Sequence, residues 1–291
     1  MKQGFVKVAS ATPRIRVADP VYNAQVICEQ AKEAAEHGAK IVVFPELCIT
    51  GYTCNDLFLQ ELLLEKAKEA LLTIAEETGQ LETLFLVGLP VDKDGRLYNV
   101  AAVLYRGRIL GMIPKKNIPM YAEFYEGRHF TPGEETVTEY RLGKQVIPFG
   151  SNLLFRCEEL PELILGCELC EDLWVAEPPS TSHALMGATV IANLSASNET
   201  VSKDDYRTLL IKASSARLLC GYIYTSAGEG ESTQDLVFGG HDLIAENGTL
   251  LVQSARFTTG ILYTDLDVLK ISSERRRMGT FGKRPMKPYL T

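Results

Sequence analysis

The stretch DPVYNAQVICEQAKEAAEHGAKIVVFPE, residues 19–46, decides the fold class. Asp19-Pro20 reads as an N-cap followed by a proline at the first helical position, where a missing N–H is no loss. Ala24, Ile27, Cys28, Ala31 and Ala35 then recur at helical spacing until Gly38, which marks an amphipathic helix with a glycine stop. Lys40-Ile41-Val42-Val43-Phe44 is a short apolar, β-branched run of the kind buried on both faces of a sheet, and Pro45 keeps its ladder from simply continuing. Glu46 is therefore expected at the C-terminal end of a strand.

The same alternation extends in both period and order. Residues 56–78 read as helix and residues 84–88 as a second buried strand. Two runs within residues 97–113 flank Arg106-Gly107, the pattern of a hairpin, so the sheet is expected to be mixed; Pro114 closes it. Further on, residues 163–169 read as strand, Pro178-Pro179 as a helix start, 188–194 as strand, 204–220 as helix and 222–226 as strand. Residues 238–252 and 260–266 look like late strands, with Asn247-Gly248 supplying a turn in the first. The pattern predicts an α/β domain over residues 1–272, with helices outside the strands and functional side chains at strand ends. Residues 273–291 form a basic tail: Glu274-Arg275-Arg276-Arg277, then Lys283, Arg284, Pro285, Lys287 and Pro288, poorly periodic and expected to be an extended or tethering segment.

Composition narrows the function. With 291 residues, 46% hydrophobic and 23% charged, the chain has the make-up of one large globular domain. A net charge of -7 supplies no global positive field for phosphate backbones, so nucleic acid is not an expected partner. Charges interrupt every apolar run well short of the ~20 residues a membrane span needs, and no apolar leader follows Met1-Lys2-Gln3-Gly4; the expectation is a cytoplasmic protein with no membrane partner. Seven irregularly spaced cysteines fit reduced thiols better than a disulfide framework.

Three strand ends present a carboxylate, Glu46, an ammonium, Lys115, and a thiol, Cys170. They are a chemically sensible set, because a thiol needs a base or cation to become thiolate and attack on a carbonyl creates an oxyanion needing stabilisation. Taken singly, each has a plainer reading: Glu46 as a solvated carboxylate or helix cap, Lys115 with Lys116 as exposed charge, a cysteine as a small buried hydrophobe. That plainer reading is adopted for Cys28, Cys157 and Cys220, with Cys48 and Cys54 as structural thiols. Cys167 and Cys170 form C-x-x-C, but an offset of three on a strand puts them on opposite faces, and no second pair completes a zinc site. His37, His129, His183 and His241 sit in no recognisable motif and read as surface or supporting groups.

Phe44-Pro45-Glu46-Leu47, Pro114-Lys115 and Gly166-Cys167-Glu168-Leu169-Cys170-Glu171-Asp172-Leu173-Trp174 resemble, in order, the three signatures of the nitrilase or carbon-nitrogen hydrolase superfamily. Leu47-Cys48-Ile49-Thr50-Gly51-Tyr52, Pro119-Met120-Tyr121-Ala122-Glu123-Phe124-Tyr125-Glu126 and Ala192-Asn193-Leu194-Ser195-Ala196-Ser197 sharpen the likeness to the glutaminase domain of glutamine-dependent NAD synthetases, over nearly the whole chain. The resemblance implies an αββα sandwich of mixed sheets and a Glu-Lys-Cys triad. Glu46 is then the general base, Lys115 the oxyanion stabiliser, Cys170 the nucleophile on the glutamine side-chain amide, and Glu126 a second acid that orients the lysine. Tyr52, Tyr121, Phe124, Ser197 and Lys203 fall at substrate-pocket positions, Lys203 where the resembled domain commonly has an arginine; a point charge there replaces a bidentate fork. No metal or organic cofactor is implied.

The resemblance also implies partners: an ATP-using synthetase domain in cis or trans, and a second copy of the chain in a homo-oligomer. The synthetase's Ser-Gly-Gly-x-Asp-Ser phosphate loop does not occur in these residues, so the tail is expected to be a linker toward such a domain. Two alternatives stay open: a freestanding amidase acting on another small amide, and a silent module regulating a synthetase.

Overall fold

The computed structural model describes residues 3–282 and 287–291, among which fourteen strands form two mixed sheets. The helix expected from residue 19 is α1 (Pro20–Glu36); the Asp19 side chain accepts the Tyr22 N–H, and Gly38 leaves the helix at φ +83°. Its buried stripe runs Ala24, Ile27, Cys28, Ala31 and Ala34, so Ala34 takes the place expected for Ala35. The chain then enters β2 (Ile41–Val43), which pairs in parallel with β1 (Phe5–Thr12) and β3 (Leu84–Lys93). The hairpin at Arg106-Gly107 joins β4 (Arg96–Tyr105) to β5 (Arg108–Pro114). With β6 (Thr138–Leu142), β7 (Gln145–Phe149) and β14 (Gly260–Asp267), these make an eight-stranded sheet in the order β14-β1-β2-β3-β4-β5-β7-β6.

The second sheet has β9 (Ile164–Leu169), β10 (Val190–Ser195) and β11 (Gly221–Ser226) parallel at its centre. Antiparallel β8 (Leu154–Arg156), β12 (Leu243–Glu246) and β13 (Thr249–Gln253) complete the order β13-β12-β11-β10-β9-β8. Strand alternation sends Ile41, Val43, Leu86 and Val103 to meet Leu165, Cys167, Leu169, Ala192 and Leu194 in a dry layer between the sheets. α1 and α2 (Glu61–Glu77) bury Ile27, Ala31, Leu71 and Ile74 on the outer face of the larger sheet, against Val42, Phe85 and Val87. α3 (Pro179–Leu185) and α4 (Lys203–Leu218) cover the smaller sheet with Ala184, Ile211 and Leu218. The layers are thus αββα.

Several expectations are corrected. Residues 56–78 are not one helix: a 3-10 segment, Tyr52–Leu59, precedes α2, and Asn55 at φ +48°, ψ -132° interrupts it. β1 and β6 to β8 had no expectation. β1 is an interior strand, but Ala9, Ser10 and Ala11 dilute its β-branched signal. Residues 238–242 precede β12 rather than belong to it. The run Glu274-Arg275-Arg276-Arg277 is not extended: it is the last turn of α5 (Val268–Arg277), which crosses the expected boundary at residue 272. Arg275 donates to the carbonyls of Leu219, Ala188 and Leu218 at 2.6–2.9 Å, because a guanidinium can serve several helix- and loop-end acceptors at once. Lys283, Arg284 and Pro285 of the expected tail lie outside the described residues. Beyond them, Leu290 bridges to Leu153 and the Tyr289 hydroxyl meets His183 Nδ1 at 2.8 Å.

Candidate active site

Glu46, Lys115 and Cys170 each emerge just after a strand, where backbone pairing stops and side chains are released. Phe44 N–H still bonds Leu86 O across to β3, but Glu46 N–H crosses to the other sheet and bonds Ser195 O at the end of β10, at 3.2 Å. Gly88 lets this turn close: a Cβ there would lie 2.2 Å from Leu47 N and 2.7 Å from Pro45 O. Lys115 follows β5, its N–H held by Asn99 O at 2.8 Å. Cys170 opens a 3-10 turn, Cys170–Leu173, at φ +39°. For a residue with a Cβ that conformation costs about 1–3 kcal/mol and persists where neighbours over-determine it. Here Asp172 accepts the Leu169 N–H at 3.0 Å and the Asn117 N–H at 2.8 Å, tying the cysteine turn to the loop that follows Lys115.

Glu46, Lys115, Glu126 and Cys170 come together, all at most 5% exposed. Lys115 Nζ donates to Glu46 Oε1 at 2.7 Å and to Glu126 Oε1 at 2.6 Å. An ammonium has three N–H donors, so one is left for another acceptor. Glu46 Oε1 also receives Asn99 Nδ2 at 2.7 Å, whereas buried Glu46 Oε2 has no hydrogen-bond partner among the described residues. One oxygen of the carboxylate is thus committed and the other is available to take a proton. Glu126 is held in turn by the Tyr52 hydroxyl at 2.8 Å and by Asn99 Nδ2 at 3.3 Å.

The charges act on one another. Burial pushes the Glu46 carboxyl up to about 7; Lys115 opposes this and Glu126 adds to it. Burial alone would lower Lys115, but Glu126 and Glu46 together hold it well above the usual ammonium range. Burial, followed by the nearby Glu46 carboxylate, raises the Cys170 thiol far above its ordinary value, with Lys115 pulling the other way. A protonated thiol beside a carboxylate poised near neutrality is a resting state in which proton transfer can accompany attack.

The remaining candidate residues make the following contacts. The Tyr121 hydroxyl donates to both oxygens of Glu171, at 2.9 and 3.0 Å, and its ring lies 5.8 Å from that of Phe124. Lys203 Nζ stands 5.4 Å from the Phe124 ring centre and 5.2 Å from that of Trp174, and donates to Asn198 Oδ1. Ser197 Oγ receives the Arg207 guanidinium at 3.4 Å. The Tyr52 hydroxyl is engaged by Glu126 of the charged cluster. His183 and His241 are buried, not surface groups; His183 Nε2 meets Cys167 O and His241 Nδ1 meets Arg207. Sequence reading missed Asn99 and Arg207, and gave Glu171 and Trp174 no role beyond their place in the third signature. Asn99 carried a usable signal, a polar residue inside the strand run Leu97-Tyr98-Asn99-Val100; Arg207 on a helix carried none.

Residues 7–276 match the carbon-nitrogen hydrolase family. The chain belongs to that family. Among curated relatives, the glutamine-dependent NAD(+) synthetase of Mycobacterium tuberculosis (strain H37Rv) is 43% identical over 282 residues, covering 96% of this chain and 42% of that protein. The chain therefore spans less than half the length of such relatives. Among solved structures, a glutamine-dependent NAD(+) synthetase from Cytophaga hutchinsonii superposes with a TM-score of 0.82 at 28% identity, over 90% of this chain and 43% of that one. An amidase of the nitrilase superfamily from Nesterenkonia, at 21% identity and TM-score 0.72 over 95% of this chain and 96% of that one, shares the carbon-nitrogen hydrolase fold.

Proposed function

We propose that the chain is a thiol-dependent glutamine amidohydrolase whose ammonia serves NAD synthesis. The observation that carries the reading is the buried Glu46–Lys115–Glu126 cluster beside Cys170, with one carboxylate oxygen and one ammonium N–H uncommitted. Glu46 Oε2 takes the thiol proton as Cys170 Sγ attacks the side-chain amide carbon, and the free N–H of Lys115 meets the oxyanion that forms. Collapse breaks the C–N bond, and Glu46 returns the proton to the departing ammonia. Glu46 then deprotonates water for attack on the γ-glutamyl thioester, which releases glutamate and restores the thiol. Glu126 positions Lys115. At the approach, the Glu171 carboxylate and the Lys203 ammonium offer opposite charges to the zwitterionic end of glutamine, between the faces of Phe124 and Trp174.

The NAD assignment draws on relatives that are glutamine-dependent NAD(+) synthetases and extend well beyond the region matched. A synthetase domain in cis or trans would consume the ammonia, and a homo-oligomeric, cytosolic setting accompanies that reading. Seven free thiols suit a reducing compartment.

The deciding experiment treats the protein with a diazoketone analogue of glutamine and locates the adduct by peptide mass spectrometry. The expected result is a single adduct on Cys170 that glutamine suppresses, together with a loss of turnover of about a thousandfold or more in Cys170→Ala. An adduct that plain aliphatic amides suppress and glutamine does not would replace glutamine with another small amide. Full turnover by Cys170→Ala would end the thiol mechanism.

A further inference from the structure

Cys170 N–H donates to Asn193 Oδ1 at 3.2 Å, an oxygen that also accepts the Ser195 hydroxyl at 2.7 Å. Asn193 lies on β10 beside Glu168 of β9. Behind it the chain of bonds continues: Asn193 Nδ2 donates to Tyr222 Oη at 3.3 Å, and the Tyr222 hydroxyl donates to Glu168 Oε1. Glu168 Oε2 accepts the backbone N–H of Ser180, in the first turn of α3, at 2.8 Å. Glu168, Asn193 and Tyr222 are all buried, and none belongs to the cluster described above.

The direction of every bond follows from the carboxylate. Burial raises the Glu168 carboxyl to about 7, so above that pH it is ionised and only accepts; the single phenolic proton of Tyr222 then points at Glu168 and a lone pair is left facing Asn193. The amide must answer a lone pair with its NH2, which turns its carbonyl toward Cys170 N–H. Reversing the phenol would reverse the amide and set two donors, the amide NH2 and the Cys170 N–H, against each other.

We infer that Glu168 is a positioning residue that, through Tyr222, dictates the orientation of the Asn193 amide and so holds Cys170 in its left-handed turn. The inference rests on Cys170 as the proposed nucleophile but not on glutamine as its substrate.

Glu168→Gln tests it. Ser180 N–H is a fixed backbone donor, so the new amide gives it the oxygen and turns its NH2 to Tyr222, which sends the phenolic proton back toward Asn193. Side-chain size and burial hardly change. The readouts, taken at about pH 8.5 where the parent's Glu168 is ionised, are the rate at which 2-chloroacetamide alkylates Cys170, followed on its peptide, and kcat and KM for glutamine, on protein whose melting temperature shows it to be folded. Alkylation and kcat are expected to fall about tenfold or more, the scale of a misplaced reacting group. KM should stay within about twofold, because Glu168 does not touch the substrate. Adding Tyr222→Phe removes the hydroxyl that turns the amide, so the double variant should be faster than Glu168→Gln alone. A purely structural role would make the second change additive or worse.

Wild-type rates in Glu168→Gln, or a double variant slower than the single one, would overturn the inference. Should Glu168→Gln not fold, Asn193→Leu removes the acceptor with little change of shape; it is expected to slow alkylation to a similar extent, and a wild-type rate there would overturn the inference equally. If the parent protein does not turn over glutamine, the alkylation rates still decide, while the glutaminase reading fails separately.

Discussion

At the scale of single residues, Lys115 is the linchpin of the buried charges. It is the shared hydrogen-bond partner of two carboxylates, so Lys115→Met leaves Glu46 and Glu126 facing each other without a cation. Breaking a buried pair in this way costs about 3–5 kcal/mol. The variant is expected to be inactive and destabilised by that amount at pH 8, as read by urea unfolding. Glu46, already raised by burial and now without the lysine that opposes the rise, should hold a proton in the folded state that the unfolded chain releases, so the variant's stability should recover as the pH is lowered toward about 5. Equal stability of the variant and the parent at pH 8 would show that another cation replaces Lys115. Glu46, Lys115 and Cys170 each follow an apolar run, which marked them only as strand-end groups; it was the resemblance to the family's three signatures that singled them out. Asn99, which touches both carboxylates, looked like one polar residue in a strand.

At the scale of elements, the turn between β2 and the Tyr52–Leu59 segment depends on β3. Gly88 has its missing side chain against the backbone of Pro45 to Leu47, and backbone cannot swing aside as a side-chain tip can. Gly88→Ala is expected to displace Glu46, lowering turnover and reducing stability by about 1–3 kcal/mol, as overpacking does. Unchanged melting temperature and kcat would mean that the strand can shift without moving Glu46. α5 makes a second case. Arg275, whose pKa burial lowers to about 10, ties that helix to carbonyls at the ends of α3 and α4. Arg275→Ala leaves those acceptors with fewer donors, and a loss of about 2–3 kcal/mol in thermal or urea unfolding is expected. Elements with a clean period, such as α1 and β2, could be read from sequence. β1 and α5 could not, since small polar residues in one and clustered arginines in the other conceal partners supplied by distant strands and helices.

At the scale of the whole molecule, the two sheets are joined by polar as well as apolar contacts. Asp242 accepts the Thr12 hydroxyl at 2.9 Å and the Ser226 N–H at 2.9 Å, linking β1 with the end of β11, and burial pushes its carboxyl up to about 7. In the unfolded chain that carboxyl titrates near ~4. Between these values the native state holds a proton the unfolded state has lost, so stability falls as the pH rises from about 4 to about 7, by up to about 1.4 kcal/mol per pH unit for one such group. Glu46 and Glu168, raised to about 7 by burial, slope the same way. Asp242→Asn removes one contributor, so the decline in melting temperature between pH 5 and pH 8 should be shallower than in the parent. An unchanged slope would show that Asp242 remains ionised in the fold.

The sequence by itself determined the alternation of helix and strand, the mixed character of the sheet and the placing of a carboxylate, an ammonium and a thiol after apolar runs, because periodicity and chain breakers act over a few residues. Only the tertiary structure decided that these three groups share one buried space. That depends on contacts between residues far apart in the chain: Glu46 N–H on Ser195 O, Asp172 on Asn117, Asn99 between two carboxylates. The availability of one Glu46 oxygen and the upward shift of Cys170 arise from the same source, since burial and neighbouring charge exist only once the sheets have closed on each other.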